Sequence, residues 1–101
     1  MRIIAKGTLR NYWLSHPLAE FPLLDWYGTV KKAEWKSPND LKKTYGNASI
    51  VANNRVVFNI KGKDFRLVTE IDYEFEFVFV IWLGTHKEYD RIDVTTIEYN
   101  G

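Results

Sequence analysis

The sequence predicts an α+β fold in which N-terminal helices pack on a mostly antiparallel sheet of four to five strands and a helix closes the chain. Apolar residues recur at helical spacing in the first third of the chain, and strand-like runs separated by turn residues follow between about residues 50 and 83. Helices that precede consecutive strands are typical of α+β domains. With 101 residues, we expect one domain spanning residues 1–101.

The chain begins with a predicted strand, Arg2 to Ala5, and a first helix that Thr8 can cap and that ends near Ser15. The second helix is predicted from Leu18 to Trp35, with a proline in its first turn, where the missing N–H does no harm. We expect these two helices to form an antiparallel pair on the sheet.

A third, short helix is predicted to begin at Ser37, because Pro38 then occupies the first helical position, and to end at Tyr45-Gly46. Four strands follow. Asn53-Asn54 is a turn signal, and the residues from Lys61 to Asp64 form a glycine-containing hairpin turn. The predicted strands are Ile50–Ala52, Arg55–Ile60, Phe65–Asp72 and Phe77–Leu83.

The end of the last strand leads into the closing helix. Gly84 is expected to break the strand, because glycine tolerates turn geometry that costs other residues energy. Thr85 stands where a helix N-cap would stand, and Glu88 three residues on completes the capping-box pattern. We therefore predict a helix from Thr85 to about Ile97.

On that helix, His86, Tyr89 and Asp90 would share one face, at spacings of i, i+3 and i+4. Imidazole and phenol groups can move protons, and a helix start favours a phosphate. Structural alternatives stay open. His86 could help to cap the helix, Tyr89 could anchor it in the core, and Asp90 could orient His86 or act as a cap.

Cations offer candidate phosphate contacts. Arg66 stands on a strand beside the turn that holds Lys61 and Lys63, and a guanidinium matches phosphate bidentately. Lys87 is a further candidate. In the structural alternatives Arg66 pairs with Glu70 or another carboxylate, and the lysines are simply exposed to solvent.

Composition narrows the classes of function. Residues 31–66 carry nine Lys/Arg against three Asp/Glu, and residues 67–101 carry two against eight, which indicates one phosphate-attracting face unless folding mixes these charges. The absence of cysteine excludes disulfides and thiolate ligands, and we expect neither a metal site nor a cofactor. Without a leader or a membrane-length apolar run, we expect a cytoplasmic protein without membrane contact.

Three blocks carry a family resemblance. Thr85–Asp90 resembles the closing motif of the HigB toxins, small RNA-cleaving proteins of bacterial type II toxin–antitoxin modules with a RelE-like fold. Val57–Val68 resembles the family's paired strands, in which an arginine follows a glycine turn. Trp35–Lys42 is a looser match, with a tryptophan, a proline and then a short helix. The blocks occur in family order and span most of the chain.

The resemblance implies a metal-independent endoribonuclease that cleaves mRNA on the translating ribosome. Arg66, His86 and Tyr89 would then lie on one surface: His86 as general base or acid, Arg66 as transition-state stabiliser, and Tyr89 as stacking or proton-transfer partner. Lysines 61, 63 and 87 would hold phosphates. The resemblance also implies neutralisation by a HigA-like antitoxin with a helix-turn-helix domain. Contact with DNA would be made only through this antitoxin.

Two other functions fit the residues. Aromatic side chains on a sheet beside a basic patch would also serve a non-catalytic RNA- or protein-binding module. A degenerate toxin, held only in complex with its antitoxin, is the third hypothesis.

Overall fold

The computed structural model describes residues 1–98; residues 99–101 of the predicted domain lie outside the described part. One five-stranded sheet carries helices on one face. In chain order the elements are β1 (Arg2–Ile4), α1 (Lys6–Ser15), a 3-10 turn (Pro17–Ala19), α2 (Glu20–Lys32), α3 (Pro38–Thr44), β2 (Ser49–Val51), β3 (Arg55–Ile60), β4 (Phe65–Asp72), β5 (Phe77–Thr85) and α4 (His86–Tyr89).

The strand order is β1-β5-β4-β3-β2, and only the β1–β5 pair is parallel. The mostly antiparallel α+β prediction is therefore confirmed. Asn53 and Asn54 have φ values of 64° and 61°, and Lys61 and Gly62 have values of 53° and 63°, so both predicted turns adopt the left-handed backbone that hairpin turns require.

The boundaries of the first two helices differ from the prediction. The first helix begins at Lys6, and its N-cap is Ala5 in a left-handed conformation without a side-chain cap, so capping by Thr8 is wrong. The second predicted helix is divided into the 3-10 turn and α2, which ends at Lys32 because Ala33 is extended. The Met1 nitrogen, at the start of the neighbouring strand, donates to the Ala33 carbonyl at 2.6 Å.

The core lies between the helices and one face of the sheet. Trp26 of α2 is 1% exposed and packs edge-on against Phe58 of β3, with ring centroids 5.4 Å apart. Trp35 and Tyr45, which flank α3, pack on the same phenyl ring. Among the helices described in residues 1–98, none has the length and apolar character needed to cross a membrane.

The chain after α4 crosses the other face of the sheet as turns. The predicted helix to Ile97 is therefore wrong: α4 has four residues. Asp93 accepts hydrogen bonds from the backbone nitrogen and hydroxyl of Thr95, and such local bonds compete with helix formation. The Arg55 guanidinium donates to the carbonyl oxygens of Val94 and Ile97, which fixes this segment against β3.

Candidate active site

The β3–β4 hairpin turn and α4 meet at one end of the sheet. Arg66 pairs with Gly84 across β4 and β5, and the neighbouring Phe65 pairs with Thr85. The His86 backbone nitrogen donates to the Asp64 carbonyl at 3.1 Å, so the first residue of α4 is tied directly to the hairpin turn. This register brings residues far apart in the chain to the same end of two adjacent strands.

A capping box fixes the start of α4, as the sequence predicts. The Thr85 hydroxyl accepts from the Glu88 backbone nitrogen at 3.2 Å, and the Glu88 carboxylate accepts from the Thr85 backbone nitrogen at 2.7 Å. That backbone hydrogen bond is the main reason why the pKa of Glu88 lies below its ordinary value of 4.5. The reciprocal bonds hold a four-residue helix that propensity alone would not stabilise.

Arg66 and Tyr89 are in contact. The guanidinium carbon of Arg66 lies 5.8 Å from the centroid of the Tyr89 ring, within cation–π range, and its Nη1 donates to the Lys63 carbonyl at 2.7 Å. The alternative that Arg66 pairs with Glu70 is wrong, because Glu70 faces Arg55 at 3.7 Å. Arg66 has no ion pair with a carboxylate among residues 1–98, so its charge is available to a ligand.

Trp82 completes this surface, and the sequence prediction missed it. Its indole lies 6.3 Å from the Tyr89 ring, at 50° between the planes. The prediction that Gly84 breaks the strand is wrong, because Gly84 continues β5 beneath the indole. A Cβ on Gly84 would lie 2.3 Å from Trp82 Cη2. The available signal was the Trp-x-Gly spacing, since residues two apart in a strand share a face.

His86 forms the second part of the site. Its Nε2 lies 3.6 Å from Asp90 Oδ2, and both side chains are more than half exposed. No hydrogen bond joins the two side chains in the described residues, and Asp90 is also the C-cap residue of α4, so the orientation of His86 by Asp90 stays a prediction. Within residues 1–98 no hydrogen bond or ion pair joins His86 to Arg66 or Tyr89; they are connected through the backbone of α4 and the hairpin turn. Tyr89 is half-buried and lies outside the main core.

The three predicted lysines differ in their surroundings. Lys61 forms an ion pair with Asp64 at 2.9 Å, so part of its charge is already compensated. Lys63 and Lys87 are exposed and flank the site from the hairpin turn and from α4. In the described residues, no group of three or more His, Asp or Glu side chains converges as metal ligands.

The sequence matches the family described as HigB toxin, RelE-like toxic component of a toxin–antitoxin system, over residues 19–92. The chain belongs to this family. The match includes the three blocks from Trp35 to Asp90, so the predicted resemblance is confirmed.

Similar proteins include the mRNA interferase toxin HigB of Escherichia coli strain K12, which is 26% identical over 92 residues, covering 89% of this chain and 88% of that protein. The mRNA interferase HigB of Shigella flexneri gives the same values. The mRNA interferase HigB of Escherichia coli O6:H1 is 22% identical over 94 residues, covering 91% of each chain.

In this HigB toxin family member, His16 lies behind the site and was not a predicted site residue. Its ring stacks on Tyr12 at 4.1 Å, and both rings meet Phe65 edge-on. Burial, and secondarily the Glu88 charge, raise the pKa of Tyr12 to about 12. This aromatic cluster supports the strand end from which α4 begins.

Proposed function

We propose that this toxin is an endoribonuclease that cleaves mRNA, as the names of its relatives state for them, with Arg66, His86 and Tyr89 as its catalytic residues. The observation that carries the proposal is the Arg66 guanidinium, which lies against the Tyr89 ring without a carboxylate partner in the described residues. A planar cation beside an aromatic ring suits a phosphate next to a stacked base.

The chemistry needs no resident metal. A general base removes the proton of a ribose 2′-OH, the 2′-oxygen attacks the adjacent phosphorus, and the bond from phosphorus to the 5′-oxygen breaks. A general acid protonates the leaving oxygen, which leaves a cyclic phosphate and a 5′-hydroxyl. His86 serves as base or acid, with Asp90 Oδ2 at 3.6 Å from its Nε2. Arg66 neutralises the charge that develops on the phosphorane.

Tyr89 and Trp82 would hold the base beside the cut. Their rings are 6.3 Å apart, and the Tyr89 ring lies against Arg66, so a nucleobase stacked on Tyr89 would bring its phosphate near the guanidinium. Lys63 and Lys87 would contact flanking phosphates, and Lys61 would do so to a smaller extent because Asp64 already pairs with it.

We also propose the substrate, the antitoxin partner and the cellular location of this toxin. The substrate is mRNA on the translating ribosome, which would complete a site of only a few side chains. The antitoxin is HigA-like with a helix-turn-helix domain, and it alone contacts DNA. The toxin acts in the cytoplasm.

The test compares induced expression of the wild-type chain, Arg66→Ala, His86→Ala and the charge-matched control Arg91→Ala, with growth and mRNA 5′ ends measured in each. Arg91 is exposed and lies just after α4. We expect arrest and new 5′ ends for the wild type and the control, and a loss of cleavage of about 10²–10³-fold for Arg66→Ala and about 10²–10⁴-fold for His86→Ala.

Unchanged cleavage by folded Arg66→Ala would remove Arg66 from the chemistry. A non-catalytic RNA-binding module is the second candidate, since the exposed stacking surface serves it equally. A folded wild type that binds RNA and neither arrests growth nor produces new 5′ ends would favour that module or a degenerate toxin.

A further inference from the structure

A cluster of exposed apolar side chains lies on the N-terminal helices. Leu14 at the end of α1 is 66% exposed, Leu18 in the 3-10 turn 70%, and Phe21 in the first turn of α2 76%, with Leu24 at 39%. Four of the seven exposed large apolar residues among residues 1–98 fall in this stretch of eleven residues. Concentrated exposure of this kind marks interaction surfaces, whereas single exposed apolar residues do not.

The cluster continues into a groove between α1 and α2. A cavity of about 430 Å³ is lined by Lys6, Gly7, Arg10, Trp13 and Leu24. Gly7 in this lining, and Gly28 in a neighbouring cavity that shares Leu24, have open space where a Cβ would stand, with no atom within 4 Å. Packing within this chain thus does not require either glycine, although glycine is unfavourable inside a helix. Two open helical glycines suit the close approach of a second backbone.

Charge indicates what kind of segment fits the groove. Lys6 and Arg10 stand on its rim, and neither forms an ion pair with a carboxylate in the part of the chain that the structure describes. The Lys6 ammonium lies over the Tyr27 ring at 4.7 Å. An apolar floor with a cationic rim is complementary to an amphipathic helix that has acidic flanking residues. A second copy of this chain would bring the same cations to the same groove.

We propose that the surface formed by Leu14, Leu18, Phe21, Leu24 and the adjoining groove docks an acidic amphipathic helix of the antitoxin that membership of a toxin–antitoxin family implies. The proposal depends on the family and not on the assignment of catalytic residues. The helices cover one face of the sheet, whereas Arg66 alternates with the core residues of β4 and so points to the other face. Docking and cleavage can therefore be tested separately.

The experiment is isothermal titration calorimetry, in which the purified cognate antitoxin is titrated into the full-length chain and the dissociation constant is measured. We expect Leu18→Glu and Phe21→Glu to weaken binding at least tenfold, and Arg10→Glu to weaken it through charge repulsion with the acidic flank. The matched control is Phe75→Glu, because Phe75 is 66% exposed but lies in the turn between β4 and β5. It should bind within twofold of the wild type. Circular dichroism verifies that each variant is folded.

Binding of Leu18→Glu and Phe21→Glu with wild-type affinity would overturn the proposal. Sedimentation velocity tests whether a second copy of this chain occupies the surface instead. A wild-type dimer that Phe21→Glu converts to a monomer without weakening antitoxin binding would assign the surface to a second copy, and the proposal would fail. Cleavage by the wild type tests the proposed function, loss of cleavage in Arg66→Ala tests the role of Arg66, and neither result affects the titration.

Discussion

Substitution of Gly84 by alanine should destabilise the protein and displace Trp82 from Tyr89. The added Cβ would lie 2.3 Å from Trp82 Cη2 and 2.6 Å from Cζ2, well inside van der Waals contact. Overpacking of this kind costs about 1–3 kcal/mol. The indole is partly exposed and can rotate away, so we expect about 1–2 kcal/mol, at the lower end of that range. For a domain of this size, each kcal/mol lowers Tm by about 4–8 °C.

Urea unfolding of Gly84→Ala, Trp82→Ala and the double variant isolates the clash. The three atoms nearest to the added Cβ all belong to the indole, so the cost of Gly84→Ala should vanish or reverse in the Trp82→Ala background. Gly28→Ala is the matched control: its Cβ meets open space in α2, and we expect it to stabilise by about 0.5–1 kcal/mol. An equal cost of Gly84→Ala with and without the indole would refute the reasoning.

Two further predictions concern the same end of the chain. Arg55→Ala should lower the free energy of unfolding by about 2–3 kcal/mol, because the buried Arg55 guanidinium donates to the Val94 and Ile97 carbonyls. The segment that follows residue 90 should then be cleaved faster by proteases. Glu88→Gln should cost about 0.5–1 kcal/mol at pH 7. Folding lowers the pKa of Glu88, so its stabilisation of the folded state is present above pH 4.5 and is lost as the pH falls through the pKa of the folded state. The free energies of unfolding of the wild type and of Glu88→Gln should therefore converge in acid. A constant difference down to pH 3 would contradict this cause.

The sequence predicted the parts of the fold that short stretches specify. The two turns require left-handed backbone at Asn53-Asn54 and at Lys61-Gly62, and these residue types tolerate it. The capping box needs only Thr85 and Glu88, three residues apart. Both features depend on neighbours within four positions, so their signals are visible without knowledge of the fold.

Prediction of the site residues required knowledge of contacts between residues that are far apart in the chain. Gly84 looked like a strand breaker because its preference for turns is intrinsic, whereas the reason for the glycine is the Trp82 indole that lies across it in the folded sheet. His16 follows the predicted and observed end of the first helix, but only packing brings it against Phe65, next to the start of α4. The prediction for Gly84 was wrong and His16 was missed because both depend on contacts between elements, which local preference does not reveal.

The comparison of two arginines shows why sequence alone leaves the catalytic assignment open. Arg55 and Arg66 both lie on strands and point to the face of the sheet opposite the helices. The tail that fails to form a helix supplies the difference, because its carbonyls at Val94 and Ile97 engage Arg55, and Glu70 faces the same guanidinium. Arg66 is left with one backbone acceptor and the Tyr89 ring. The arginine that folding leaves without a carboxylate is the one that can still bind phosphate, and loss of cleavage in Arg66→Ala with a stable fold would follow from that difference.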